Sequence, residues 1–150
     1  MNLETTIHTN AHAQAEQAAT QSLFLRRALQ ADTVVSGLSG LLALIDASLV
    51  ANLLGFSSAA ATRNVMLLGL GLLAWAAFAF WISTRPKLSR GLVFTIIEGN
   101  LLWVVGSVIL LMVGWLPFST SGKWTVAIVA DMVGLLALLQ HVGWRRLIKR

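Results

Sequence analysis

Three carboxylic acids, Asp46, Glu98 and Asp131, stand inside long apolar runs of this 150-residue chain. A carboxyl in hydrocarbon costs roughly 2.5 to 3.5 kcal/mol on insertion scales. Such a group must face other helices, find a partner or keep its proton. Two chemistries fit these residues. One is a path for a proton or small cation through Asp46 and Asp131. The other is hydrogen bonding between helices by protonated acids, with Asn100 and Gln140 as further polar groups; each such bond is worth about 0.6 kcal/mol on average.

At about 1.5 Å per residue, Asp46 falls about 12 Å below the outer end of its run and Asp131 roughly 10 Å below the start of its own. The two are level. Asp46 belongs to the stripe Ser36, Ser39, Ala43, Asp46, Val50, and Asp131 to Ala127, Asp131, Gly134, Leu138, His141. Both stripes are rich in small residues that let helices approach closely. If they touch, the two carboxyls meet with no cation in reach, and one keeps its proton or they share one. Glu98 and Asn100 lie about 200° apart around one helix. Asn100, Trp103 and Ser107 form one stripe; Glu98, Leu102, Val105 and Ile109 form another. One bundle does not easily bury both, so Glu98 either reaches a polar neighbour such as Gln140 or faces another protein.

His141 could hold a haem or chlorophyll-type pigment through its imidazole nitrogen. It also sits beside Trp144 and Arg145, near an interface where a histidine costs little. His8 and His12 are four residues apart in a polar tail, with no third ligand nearby. There is no cysteine, which excludes disulfides and thiolate chemistry. No nucleophile elbow, Walker motif or metal-hydrolase motif occurs. Gly37, Gly40, Gly69 and Gly71 read as packing glycines rather than a phosphate loop. The expectation is a non-enzymatic protein with no metal and no cofactor.

The elements that must position these groups are read from hydropathy. Hydrophobic residues make up 57% and charged residues 11%, and the apolar residues gather in four blocks, the pattern of a multi-pass membrane protein. Spans are expected at about 33–54, 65–82, 91–114 and 124–143. Asp32 is placed to cap the first, and Ser83, Thr84, Arg85 and Pro86 end the second. Residues 1 to about 12 read as a mobile polar tail. Residues 14 to 30 read as a helix on the membrane surface or as an extension of the first span. Residues 1–30 therefore form the leading segment and 31–150 the bundle. Short loops make sequence neighbours antiparallel neighbours. The fold class is all-α, a left-handed antiparallel four-helix membrane bundle preceded by an interfacial helix. The second span, with no ionisable group in its interior, is expected to face lipid most.

The net charge of +5 could suggest nucleic acid in a soluble domain. Here the bases sit at the ends of apolar runs, so lipid and topology explain them and no nucleic-acid partner is expected. Arg26 and Arg27, then Arg85, Lys87 and Arg90, then Arg145, Arg146, Lys149 and Arg150 fall on one side; only Arg63 and Lys123 fall on the other. The positive-inside rule puts both termini in the cytoplasm. Trp81 and Trp144 then lie near the inner interface, and Trp115 and Trp124 near the outer one. Residues 1–22 lack the basic start and apolar core of a cleavable signal.

Leu25, Arg26, Arg27, Asp32, Gly40, Leu54 and Gly55 around the first span carry a resemblance. So do Asn100 to Trp103, Ser107, Gly114 and Trp115, then Leu139, Gln140 and Gly143 to Arg146. From Leu25 to Arg146 the chain resembles a widespread bacterial family of small four-span integral membrane proteins of unassigned function. The resemblance implies a bacterial inner (plasma) membrane location and brings no catalytic residues. The family usually has an apolar residue where Glu98 stands and an amide where Asp131 stands, so these departures suggest a specialised member or a site for a particular partner. The expected function is that of an accessory or scaffold subunit docked on a larger inner-membrane complex. The alternatives are a transporter using Asp46 and Asp131, and a pigment- or haem-binding subunit using His141.

Overall fold

No glycine or proline occurs between residues 3 and 36, so nothing interrupts a helix there. The computed structural model describes the backbone of residues 3–148 and the side-chain surroundings of residues 19, 20 and 22–146. Helix α1 runs without a break over Leu3–Ile45. The polar tail is helical from Leu3, and residues 14 to 30 run into the first span without a break. His8 and His12 lie outside the side chains described.

Asp46 interrupts the helix, with φ −139° and ψ 71°. Its Oδ1 accepts from the backbone N–H of Leu49 at 2.9 Å and from Ser48 Oγ at 2.8 Å. It thus caps α2 (Ala47–Leu54), the role expected of Asp32. Gly55 closes α2 with φ +102°, a left-handed conformation that glycine adopts without steric cost. Ser58 caps α3 (Ala59–Thr84), accepting from Ala61 N–H at 3.1 Å, and the helix ends just before Pro86. Helix α4 spans Arg90–Val113 and α5 spans Thr120–Ile148.

Four stretches are long and apolar enough to cross a bilayer: Ser22–Ile45, Ala59–Thr84, Arg90–Val113 and Thr120–Arg146. The protein is an all-α four-helix bundle of the membrane-spanning kind. The first span begins about one and a half helical turns before Arg27, not after Asp32, which places Asp32 in the interior of α1.

Around the bundle the order is α3, α1, α5, α4. Against α3, Arg26 of α1 meets Ser83 and Gly40 meets Gly69. Against α5, Leu25 meets Gly143 and Asp32 meets Gln140. Between α4 and α5, the Arg90 carbonyl meets Trp144 and Asn100 meets Gln140. Helices α1 and α3 approach closely at Gly40 and Gly69: a Cβ on Gly40 would stand 2.8 Å from the Gly69 carbonyl oxygen. Only glycine permits that approach.

Helices α3 and α4 depart from the expectation that sequence neighbours pack together. They converge where Ala79, Ile82, Val93, Ile96 and Ile97 join Leu25 and Leu29 in one buried cluster. Beyond Trp75, whose ring fills the space above Gly99, they diverge. Among the four span windows α4 is the least buried, at 22% against 28% for α3. It, rather than the second span, faces outward most, because α3 lies along α1 and α2 while α4 leans mainly on α5.

Candidate functional site

The site forms where α1, α4 and α5 meet in the half of the bundle that carries most of the bases. Asp32 projects from α1, Asn100 from α4 and Gln140 from α5, and all three are buried. Asn100 Nδ2 donates to Asp32 Oδ2 at 2.9 Å and to Gln140 Oε1 at 3.1 Å. Gln140 Nε2 donates to the same Asp32 oxygen at 3.0 Å, closing a three-membered ring of bonds. Ser36, one turn beyond Asp32, donates to Oδ1 at 3.3 Å. Trp75 of α3 donates its indole N–H to Asn100 Oδ1 at 3.3 Å. All four spans therefore contribute to one polar cluster.

The donors and acceptors leave one arrangement. An indole N–H can only donate, so the Asn100 atom facing Trp75 is the carbonyl oxygen. That turns both hydrogens of the Asn100 amide toward Asp32 and Gln140. Gln140 accepts from Asn100 through Oε1, so its own amide nitrogen faces Asp32. The Asp32 carboxyl then acts as an acceptor, receiving three bonds, and among the described residues no cation touches it. Arg26, six residues earlier, is engaged elsewhere: its guanidinium donates to the carbonyls of Ser83 at 2.6 Å and Pro86 at 2.8 Å. The Ser83 carbonyl is one of the orphan acceptors in the last turn of α3, and Pro86 lies just beyond that helix.

Each side chain is aimed here by its helix. Leu25, Leu29, Asp32 and Ser36 recur at three- and four-residue spacing and share one buried face of α1. Ala130, Val133, Ala137 and Gln140 form the buried face of α5. The Asp131 stripe expected to pack lies to one side of it, and Asp131 itself is exposed. On α4 the stripe with Asn100 and Ser107 turns inward, while Glu98, Leu102, Val105 and Ile109 are all exposed.

Of the residues singled out in the sequence, Asn100 and Gln140 come together. Asp46 and Asp131 do not pair: both are exposed, and no hydrogen bond joins them. Asp46 spends its carboxyl on the α2 cap, and Asp131 lies off the α5 packing face. Glu98 does not reach Gln140, whose amide is taken by Asp32 and Asn100. His141 is half-buried, with its ring 5.8 Å from that of Trp144. Among the described residues no three His, Asp or Glu side chains gather as metal ligands.

Asp32 is the member that sequence reasoning placed wrongly. Two signals were present: the i, i+4 spacing of Asp32 and Ser36, and the Leu25, Leu29, Asp32 register, which puts the acid on an apolar face.

Beside the cluster, an apolar crevice opens between α3 and α4. Its inner lobe, about 350 Å³, is lined by Ser36, Gly71, Trp75 and Asn100 among others. A wider outer lobe of about 710 Å³ continues past Trp103 and Gly106 to Phe56 and Phe118. The two lobes share Leu68, Gly99 and Trp103.

No protein-family model, curated protein or solved structure matches this chain.

Proposed function

We propose that this membrane protein is a non-enzymatic accessory or scaffold subunit of a larger membrane assembly. The observation that carries the reading is Glu98. It stands inside a membrane-spanning stretch, exposed on the outer face of α4 among Leu102, Val105 and Ile109. No hydrogen bond or ion pair engages it among the described residues. Ionisable side chains at that depth belong against protein or water, not lipid. A neighbouring subunit that presents donors to Glu98 removes the cost. Asp131, exposed within α5, gives a second such point.

The assembly belongs to a bacterial inner membrane in this reading, with both termini in the cytoplasm. The positive-inside rule supports that orientation, since Arg26, Arg27, Arg85, Lys87, Arg90, Arg145 and Arg146 gather at one end. The resemblance to small four-span bacterial proteins is part of the same proposal. Transport through Asp46 and Asp131 and pigment binding at His141 have no comparable observation in their favour.

The test is Glu98→Leu in the native membrane, followed by gentle extraction. The variant should separate from its partner subunits while remaining folded. Co-purification equal to that of the unaltered protein would sink the reading.

A further inference from the structure

The divergence of α3 from α4 leaves a space whose dimensions identify an occupant. The crevice runs along α3 from Asn64 at its mouth to Trp75 at its closed end. The eleven steps between them span about 16 Å. Half of a hydrocarbon core of about 30 Å is about 15 Å. The crevice is therefore one leaflet deep and opens sideways between two spans, at the depth where lipid chains lie. Its walls are mostly Leu, Val, Phe and Trp, with too few polar partners to hold water along its length. Left empty, they would lose dispersion contacts on one side.

Two glycines keep this space open. Gly71 faces the inner lobe and Gly106 the outer one, and a Cβ at either would meet nothing within 4 Å. Close helix packing accounts for Gly40 and Gly69, but not for these. Among the described residues only two bases lie outside the base-rich end, and both are close in sequence to residues at the mouth. Arg63 adjoins Asn64, which lines the outer lobe, and Lys123 lies one turn before Val126, which also lines it. Both are exposed, and neither has a hydrogen bond or ion pair among the described residues. Arginine and lysine side chains bind phosphate through charge-assisted hydrogen bonds.

We propose that the α3–α4 crevice is a phospholipid site. One acyl chain lies between Gly71 and Gly106 with its end near Trp75, and the headgroup phosphate sits at Arg63 and Lys123. The site is independent of the subunit contact assigned to Glu98.

The experiment uses the full chain in detergent, titrated with phosphatidylglycerol carrying brominated acyl chains. Native mass spectrometry counts retained lipid, and tryptophan fluorescence reads contact with the bromines. The unaltered protein should keep one phospholipid and show quenching, and Trp103→Phe should remove part of that quenching. The double variant Gly71→Leu, Gly106→Leu fills the crevice and should bind about tenfold more weakly, a change of about 1.4 kcal/mol. Both replacements favour helix and meet open space, so this variant should fold. Gly91→Leu, equally open but outside the crevice, should bind as the unaltered protein does. Arg63→Gln with Lys123→Gln should weaken binding several-fold.

Equal retention by the filled-crevice variant would place the lipid elsewhere and overturn the proposal. So would no retention by the unaltered protein. Unchanged binding after loss of Arg63 and Lys123 would overturn the headgroup assignment. If filling the crevice in the native membrane releases a polypeptide and leaves the lipid count unchanged, the occupant is a partner helix and the lipid site is wrong. Loss of partners in Glu98→Leu with lipid retained would separate the two proposals.

Discussion

The two halves of the bundle are built from the same kind of helix but held in different ways. In the base-rich half, α1, α3 and α4 bring Leu25, Leu29, Ile82, Ile96 and Ile97 into one cluster, and the Asp32, Asn100 and Gln140 ring sits beside it. In the other half the buried cluster is Ala43, Ala47, Ala51 and Val65, drawn from α1, α2 and α3 alone. Large apolar side chains and a shared acceptor join every span at one end. Small residues let α1 and α3 touch at the other and leave α4 apart. In a bilayer, where lipid is as apolar as leucine, apolar area does little to pull helices together. What closes the first half is the polar cluster and close packing; where both are missing, α3 and α4 part.

The ends of the open half are nonetheless fixed. Ser119 Oγ donates to the Leu53 carbonyl at 2.7 Å, and Ser119 N–H donates to the Leu54 carbonyl at 3.0 Å. Gly122 lets α5 approach the Leu54 backbone, since a Cβ there would stand 2.6 Å from the Leu54 carbonyl oxygen. Divergence is thus confined to α3 and α4.

Four substitutions can break or sharpen this contrast. The largest effect is expected from Gly69→Leu, which drives a side chain into the Gly40 backbone; overpacking of this kind costs about 3 kcal/mol, and thermal unfolding in detergent should show it. Next is Asn100→Leu, which removes two donors and the acceptor for Trp75. A loss of about 2 kcal/mol is expected, together with a change in Trp75 emission. Arg26→Gln should cost about 1 kcal/mol by releasing the carbonyls of Ser83 and Pro86, visible as faster amide exchange at the end of α3. The smallest change, and the one of opposite sign, is Gly71→Leu in the open half. It removes a helix-interior glycine where an added Cβ meets nothing within 4 Å, and it should stabilise the protein by about 0.5 to 1 kcal/mol. A loss of stability on Gly71→Leu would mean that α3 and α4 close on each other.

Much of the architecture could be read from the chain because hydropathy and chain breakers determine it. Four apolar runs are visible, and Pro86 and Gly114 mark the ends of the second and third spans; the first span, expected at 33–54, is Ser22–Ile45 instead, and Gly55 closes α2. The face of each helix was harder to read. Asn100 and Glu98 could be assigned to different faces from helical geometry, but which of them turns inward depends on the partner helices. Asp32 looked like a cap because it precedes an apolar run; the uninterrupted helix upstream overrides that, and its true partners lie 68 and 108 residues away. Asp46 looked like an interior acid because its surroundings are apolar, and it is the cap instead. The crevice left no trace in hydropathy, since Gly71 and Gly106 resemble the packing glycines Gly40 and Gly69.

The most direct test of the polar cluster compares Asp32→Asn with Asp32→Leu by thermal unfolding of the purified protein. The carboxyl acts only as an acceptor. In Asp32→Asn one amide oxygen can still receive Asn100 and Gln140, while the new NH₂ group donates to Ser36, whose hydroxyl can accept. Asp32→Asn should stay within about 1 kcal/mol of the unaltered protein, and Asp32→Leu should lose about 2 to 3 kcal/mol by stranding buried donors. Equal loss in both variants, or no loss in either, would contradict a bundle clamped by a shared acceptor.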